Sequence, residues 1–148
     1  MKPNWNNIKY FKKSDFPCKC NRHNESNPAL PEYAELNYYY ICRYFLDPLR
    51  KDCKSAIILT SGSRCIPHNK EEGGASNSQH IIDSNERGIK PDAVDMYCPK
   101  LSYQEFDKKI QNNVNVEYCG YKIYLRQNND GSIFYLVHID FRGIKARW

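Results

Sequence analysis

Hydrophobic side chains in the segment 31–49 recur at steps of three and four residues. The positions that share this apolar face are Leu36, Tyr40, Ile41, Tyr44, Phe45 and Leu49. The spacing predicts an amphipathic helix, with Pro31 in its first turn. Pro48 should end or bend the helix, because proline has no backbone N–H to donate. The three tyrosines at 38–40 are predicted to be core and flank of this helix rather than a platform for a ligand.

Strand-like patterns fill much of the remaining chain. The predicted strands are a short apolar run at 56–60 and alternating segments at 92–97, 118–126 and 133–141. Asn128-Asn129-Asp130-Gly131, between the last two strands, is a hairpin turn signal. The segment 61–79 is rich in Gly, Ser and Asn and is therefore predicted to be mostly loop.

One further helix is predicted between the strands. Ser102 and Glu105 form the pattern of a capping box, which would open a helix running to about Asn112. The order of elements predicts an α+β fold, with N-terminal helices packed on a central antiparallel sheet. A length of 148 residues fits one domain covering 1–148.

Composition and charge narrow the class of protein. A hydrophobic fraction of 41% with 14% aromatic residues is too apolar for a disordered chain. No apolar stretch is long enough to span a membrane, and the first residues lack a signal-peptide core. We therefore expect a soluble monomer synthesised in the cytoplasm. The net charge of +5 is scattered without a basic block, which fits a solvated basic surface or attraction to an anionic polymer but does not favour nucleic acid.

The cysteines argue against a disulfide framework. There are 7, an odd number, and the sequence shows no secretory signal. Most are expected to be buried or free thiols. Cys18, Cys20 and His23 form a second possibility, a structural metal site, although the cluster offers only three ligands at unusual spacing.

Metal-binding side chains occur in three segments on or beside predicted strands. These are Ser78-Gln79-His80, Asp92-Ala93-Val94-Asp95 and Val137-His138-Ile139-Asp140. Histidine and carboxylate side chains that converge in space are the ligands that zinc prefers. A single His is more often a surface or hydrogen-bonded residue, and a single Asp at a strand end is more often a turn former. The combination therefore carries more weight than any one segment.

Several motifs along the chain resemble one known family. They are Ser61-Gly62-Ser63-Arg64-Cys65, His68-Asn69-Lys70, Gly73-Gly74-Ala75-Ser76-Asn77-Ser78-Gln79-His80, the opening segment from Phe11 through Phe16 to Cys18-Lys19-Cys20, and the closing segment from Val137 to Gly143 with Ala146-Arg147-Trp148. These segments are similar to the signature of the zinc D-Ala-D-Ala carboxypeptidase family, which includes related phage endolysins. The resemblance is strongest to its short, single-domain peptidases and implies the fold shared by the hedgehog domain and DD-peptidases.

The resemblance also implies a zinc centre and roles for its neighbours. The implied ligands are His80, Asp95 and His138, which leave the fourth position of a catalytic zinc open. In the family, the arginine at the position of Arg64 helps to hold the substrate or the transition state. The alternative role for Arg64 is a structural one, in which it ties loops together. Ser78 is implied to hydrogen-bond the substrate or a zinc ligand, or else to cap a loop.

Two positions differ from the family pattern. His80 and Asp95 are 15 residues apart, so the segment 81–91 carries an insertion, and Asp92 is an alternative ligand. Tyr135 stands where many relatives have the acidic general base. Asp140 is then the local candidate for the base, because residues two apart in a strand share a face with His138. The alternative role for Asp140 is a carboxylate that supports a zinc ligand.

The implied function is that of a zinc metallopeptidase acting on peptidoglycan stem peptides. Both a D-Ala-D-Ala carboxypeptidase and an endolysin-type endopeptidase are compatible with the motifs, which leave open the bond cleaved. The chain would act on the cell wall of a bacterium after release, for example by a phage lysis system. The alternative is a non-catalytic, zinc-containing module that binds cell wall or a partner, as in the hedgehog domain.

Overall fold

The computed structural model of the protein describes residues 2–20, 30–82 and 91–148. Its first long element is helical throughout and consists of α1 (Glu32–Ile41), a π-helical stretch (Cys42–Leu46) and α2 (Asp47–Cys53). The predicted helix is confirmed, but it does not end at Pro48. Proline lies in the first turn of α2, and the wider π-helical turns come directly before it. The helical chain therefore continues to Cys53.

The buried face of this helical segment differs from the predicted one. The side chains that it buries are Ala34, Tyr38, Ile41, Cys42, Phe45, Leu46, Leu49 and Cys53. Tyr40 and Tyr44, assigned to the core by their spacing, are 37% and 70% exposed. The π-helical stretch changes the number of residues per turn, so the buried face does not follow a single α-helical spacing. Tyr38 is a core residue, and its hydroxyl donates to the carbonyl of Ala93 at 3.2 Å.

The four predicted strands are present and form one antiparallel sheet. They are β1 (Ile58–Ser61), β2 (Ala93–Tyr97), β3 (Gly120–Gln127) and β4 (Ile133–Asp140). Their order across the sheet is β1-β2-β4-β3. The turn between β3 and β4 has Gly131 at φ +85°, a conformation that suits glycine. The α+β fold class inferred from the sequence is confirmed.

Two further α-helices and three short 3₁₀-helices make up the rest of the described elements, the latter being Trp5–Asn7, Lys13–Asp15 and Val116–Tyr118. α3 (Ile66–Glu71) lies in the segment that was predicted to be mostly loop. Its six residues are too few to show a helical hydrophobic period. α4 (Tyr103–Asn113) begins at the predicted capping box, with Ser102 and Glu105 hydrogen-bonded to each other's backbone. Within the described ranges, no helix is both long and apolar enough to cross a membrane.

The sheet has two different faces. Val94, Met96, Tyr135, Val137 and Ile139 belong to the hydrophobic core together with residues of α1, α2 and α4. Because side chains alternate along a strand, the intervening positions point to the opposite face. On β2 and β4 those positions carry the polar residues that build the centre described next.

Candidate metal centre

Three predicted ligands converge on the face of the sheet opposite the core. Asp95 on β2 and His138 on β4 are paired directly across the two strands, and His80 lies in the segment between α3 and β2. The Nε2 atom of His80 is 3.2 Å from Asp95 Oδ1 and 3.1 Å from His138 Nδ1. His138 Nδ1 lies 2.9 Å from the same carboxylate oxygen. All three side chains are buried.

The outer nitrogen of each histidine has its own hydrogen-bond acceptor. His80 Nδ1 lies 2.5 Å from the carbonyl oxygen of Gly62, so that nitrogen carries the proton. His138 Nε2 lies 3.0 Å from Asp140 Oδ2 and donates to it in the same way. Both tautomers therefore direct a lone pair at the centre, an arrangement typical of histidines that bind a metal. Two imidazole nitrogens and one carboxylate oxygen fit zinc, and they leave a further coordination position available.

Arg64 contacts the outer oxygen of the carboxylate. Its Nη2 atom donates to Asp95 Oδ2 at 2.5 Å, and its Nε atom donates to Ser61 Oγ at 2.9 Å. Burial alone would raise the pKa of Asp95, but the adjacent His80 and His138 hold it far below its usual range. Asp95 is therefore ionised, with Oδ1 towards the histidines and Oδ2 held by Arg64.

Asp140 lies behind His138 and is fully buried. Its oxygens accept from Arg142 Nε at 2.6 Å and Arg142 Nη2 at 2.5 Å, in addition to His138. The amide of Gly120 donates to the same carboxylate at 3.2 Å. Burial would raise the pKa of Asp140, but the Arg142 and His138 partners keep it below its usual range. A carboxylate with these partners orients His138, and the geometry favours that supporting role over the role of general base.

The carboxylates around the centre favour positive charge within it. Burial lowers the pKa of His138, but Asp140 and Asp95 outweigh burial and raise it. Burial lowers the pKa of His80 and is the dominant effect there, so that imidazole stays neutral. A cation between these groups, whether a proton or a metal ion, is therefore stabilised by Asp95 directly and by Asp140 through His138.

The centre opens into a cleft of about 610 Å³. Ser78 lines this cleft, but its hydroxyl also accepts from the amide of His80 at 3.2 Å, so it helps to position that ligand's backbone. Trp148 forms part of the wall, with its ring 5.2 Å from the ring of His138. Arg64, Arg126 and Arg142 also line the cleft. Arg64 and Arg142 are paired with Asp95 and Asp140.

The alternative residues suggested by the sequence lie elsewhere or outside the described ranges. Asp92 lines a separate pocket with Phe45 and Phe141 and is not part of the ligand cluster. Tyr135 points into the core, where its hydroxyl donates to the carbonyl of Cys98 at 2.8 Å. Residues 83–90 of the insertion, which include Glu86, lie outside the described residues, and so does His23.

Two glycines that support the centre were not singled out from the sequence. At Gly120, an added Cβ would overlap the carboxylate of Asp140, so glycine provides the space for that side chain. At Gly62, whose carbonyl binds His80, an added Cβ would lie 2.7 Å from the carbonyl oxygen of Phe16. The motif that contains Gly62 was visible in the sequence, but the close approach of residue 16 was not.

Comparison with known families supplies an independent finding. A family model described as Peptidase M15 matches residues 9–129 of the chain. The matched region includes His80 and Asp95 and ends before His138. No curated protein and no solved structure shows significant similarity to the chain.

Proposed function

The chain belongs to the Peptidase M15 family, and on this premise we propose that it hydrolyses peptide bonds of peptidoglycan stem peptides, with a zinc ion bound by His80, Asp95 and His138. Membership of this family makes the protein a peptidase of a zinc-dependent class, with a peptide as substrate. The observation that carries the assignment of ligands is the pair of histidine tautomers. His80 Nδ1 donates its proton to the carbonyl of Gly62, and His138 Nε2 donates its proton to Asp140. The other nitrogen of each ring therefore directs its lone pair into the centre.

A bound zinc ion would supply Lewis-acid polarisation of the scissile carbonyl and would lower the pKa of water to about 7. The chain's own residues prepare the site for that chemistry. Arg64 keeps Asp95 in one orientation through its bond to Oδ2, and Asp140 does the same for His138. Because Asp95 and His138 are already held in these orientations, they need not move when substrate enters the cleft.

The charge of the cleft supports a substrate with free carboxylates, as the stem peptides of peptidoglycan have. Arg64 and Arg142 are already paired with Asp95 and Asp140. Arg126 is exposed, packs against the ring of Tyr124, and has no carboxylate within ion-pair distance among the described residues. We therefore assign Arg126 as the group that binds a substrate carboxylate, in addition to the expected contribution of Arg64.

Proton transfer needs a group other than Asp140, whose oxygens are occupied by Arg142 and His138. Within the described ranges, Glu72 is the carboxylate besides Asp95 that lines the cleft. Its side chain is 55% exposed, and one of its oxygens, Oε1, lies 3.5 Å from His68 Nε2. Glu72 is therefore the residue of the described cleft that we assign to proton transfer.

The experiment that tests the proposed function is digestion of purified cell walls by the zinc-loaded protein, followed by mass spectrometry of the muropeptides. Loss of a terminal D-Ala would identify a carboxypeptidase, and cleavage within the stem would identify an endopeptidase. A His138→Ala variant should leave the muropeptides intact. Binding to cell walls by the zinc-loaded wild type without any cleavage would favour the non-catalytic alternative and reject the proposed activity.

A further inference from the structure

A second group of metal-binding side chains lies outside the centre described above. The Sγ atoms of Cys18 and Cys20 and the Nδ1 atom of His68 all lie within 4.8 Å of one another. Cys65, directly before α3, lies outside that group of three, but its sulfur is 3.6 Å from that of Cys20. We propose that Cys18, Cys20, Cys65 and His68 bind a structural zinc ion.

The distances agree with a zinc site rather than with disulfides. The sulfurs of Cys18 and Cys20 are 3.6 Å apart, and Cys18 Sγ is 3.2 Å from His68 Nδ1. Tetrahedral zinc, with bonds of about 2.3 Å to sulfur and about 2.0 Å to nitrogen, separates two sulfurs by about 3.8 Å and a sulfur and nitrogen by about 3.5 Å. A disulfide needs about 2.05 Å, and none of the seven cysteines, all in the described residues, forms one.

The surroundings of the four side chains also suit a metal. His68 Nε2 lies 3.5 Å from Glu72 Oε1, which places the proton on Nε2 and the lone pair on Nδ1, towards the sulfurs. The amide of Cys65 donates to Cys18 Sγ at 3.4 Å, and such a hydrogen bond stabilises a thiolate. Three thiolates and one histidine form a closed ligand set, which is typical of structural zinc.

The position of this cluster explains what the ion would do. Cys18 and Cys20 come from the N-terminal segment. Cys65 directly precedes α3 and His68 lies in its first turn, more than 40 residues later. The same two segments are already joined by Ser63, whose amide and hydroxyl both donate to the carbonyl of Phe16, at 2.8 and 2.7 Å. The ion would therefore fix the N-terminal segment against the loop on which Gly62 and Arg64 hold the ligands of the cleft.

His23, which the sequence offered as a third ligand beside Cys18 and Cys20, is outside the described residues. The structure supplies Cys65 and His68 instead. Cys65 belongs to the motif that also contains Arg64, and His68 opens the next motif, so the short segment 61–70 would serve both the structural ion and the catalytic centre. The cluster shares no side chain with His80, Asp95 and His138, and it would bind zinc whether or not the protein is a peptidase.

The first test is metal content and cobalt substitution of the wild-type protein. The proposal predicts about two zinc ions per chain and, after exchange to Co²⁺, an intense thiolate-to-cobalt charge-transfer band in the near ultraviolet. A His₂Asp centre has no sulfur ligand and cannot produce that band, so the two sites are distinguished in one spectrum. Absence of the band from cobalt-loaded protein, or a Cys20–Cys65 disulfide in peptide mapping of protein purified under reducing conditions, would overturn the proposal.

Variants then assign the band to residues. Cys65→Ser should lose about one zinc ion and the charge-transfer band, whereas Cys119→Ala, a buried cysteine outside the cluster, should retain both. His80→Ala should lose the other zinc ion and keep the band, which separates failure of this site from failure of the catalytic centre. If Cys65→Ser does not fold, the presence or absence of the charge-transfer band in the cobalt-loaded wild type still tests whether thiolates bind the metal. A band that survives in folded Cys65→Ser at full intensity would remove Cys65 from the ligand set.

Discussion

Asp95 and His138 are direct cross-strand neighbours on β2 and β4, and their facing atoms, Oδ1 and Nδ1, are 2.9 Å apart. Two rigid strands therefore set the spacing of two proposed ligands, and only His80 comes from outside the sheet. Such a pair is preorganised, because the backbone hydrogen bonds of the sheet hold both side chains before any ion binds.

Replacing a histidine of this centre should remove one zinc ion and the peptidase activity. We expect His138→Ala to lose about one zinc ion per chain, because two remaining ligands bind zinc weakly, and to lose activity at least about 10³-fold. Zinc content and muropeptide release measure the two effects. Lys122→Ala is the control, since Lys122 pairs with His138 across β3 and β4. Full zinc content and activity in His138→Ala would reject the ligand assignment.

Asp140→Asn tests whether Asp140 orients His138 or acts as the general base. Because both oxygens are occupied by Arg142 and His138, we expect zinc affinity to fall by about 10–100-fold. At saturating zinc, kcat should remain within about 10-fold of wild type. Asp130→Asn, in the exposed turn between β3 and β4, should change neither quantity.

The base role predicts the opposite result for Asp140→Asn. Zinc affinity would be unchanged, and kcat would fall by about 10²–10⁴-fold. The same measurements on Glu72→Gln provide the complementary test. We expect its kcat to fall by about 10²–10⁴-fold while the zinc of the cleft is retained. A Glu72→Gln enzyme with normal kcat would exclude Glu72 from proton transfer.

Arg126→Ala should weaken substrate binding more than turnover. No carboxylate of the described residues pairs with the guanidinium of Arg126, which lines the cleft, and a charged hydrogen bond contributes about 1.5–3 kcal/mol. We expect KM to rise by at least about 10-fold with kcat within about 3-fold. Lys122→Ala is the matched control, because Lys122 also packs against Tyr124 but does not line the cleft. We expect its KM to equal that of wild type. A KM equal to that of wild type would show that another group binds the carboxylate.

Asp92→Asn should stabilise the protein in a pH-dependent manner. Burial, with a further contribution from Asp140, raises the pKa of Asp92 to about 7, and its Oδ1 has no hydrogen-bond partner among the described residues. Between about pH 4 and about pH 7, Asp92 is protonated in the folded state but ionised in the unfolded state. The free energy of unfolding therefore decreases as pH rises through this range. Asn carries no charge, and we expect a gain of about 1–3 kcal/mol at about pH 8 that is small at about pH 4.

Urea denaturation at constant zinc, repeated across that pH range, measures the effect of Asp92→Asn. Asp130→Asn serves as the control, because the hydrogen bonds from Ser132 lower the pKa of Asp130, so its contribution changes only in more acidic solution. A difference between Asp92→Asn and wild type that does not grow with pH would show that Asp92 is ionised in the folded protein at all these pH values.

Local signals in the sequence were sufficient for most elements. The capping box at Ser102 and Glu105 and the glycine of the β3–β4 turn depend on residues within a few positions of each other. Strand alternation also correctly placed Asp140 on the face that carries His138. The short helix α3 escaped prediction because six residues carry too little periodicity. The buried face of the first helix was wrong because the π-helical stretch changed the number of residues per turn.

The motifs in the sequence selected His80, Asp95 and His138, but they could not supply the partners that fix each side chain. Those partners are distant in the chain: Gly62 for His80, and Gly120 for the carboxylate behind His138. The same holds for Cys18, whose sulfur contacts His68 across 50 positions. Local sequence patterns predict the secondary structure of a segment and the face to which each of its side chains points. Which groups meet there depends on strand register and on the packing of loops, and only the tertiary structure determines both.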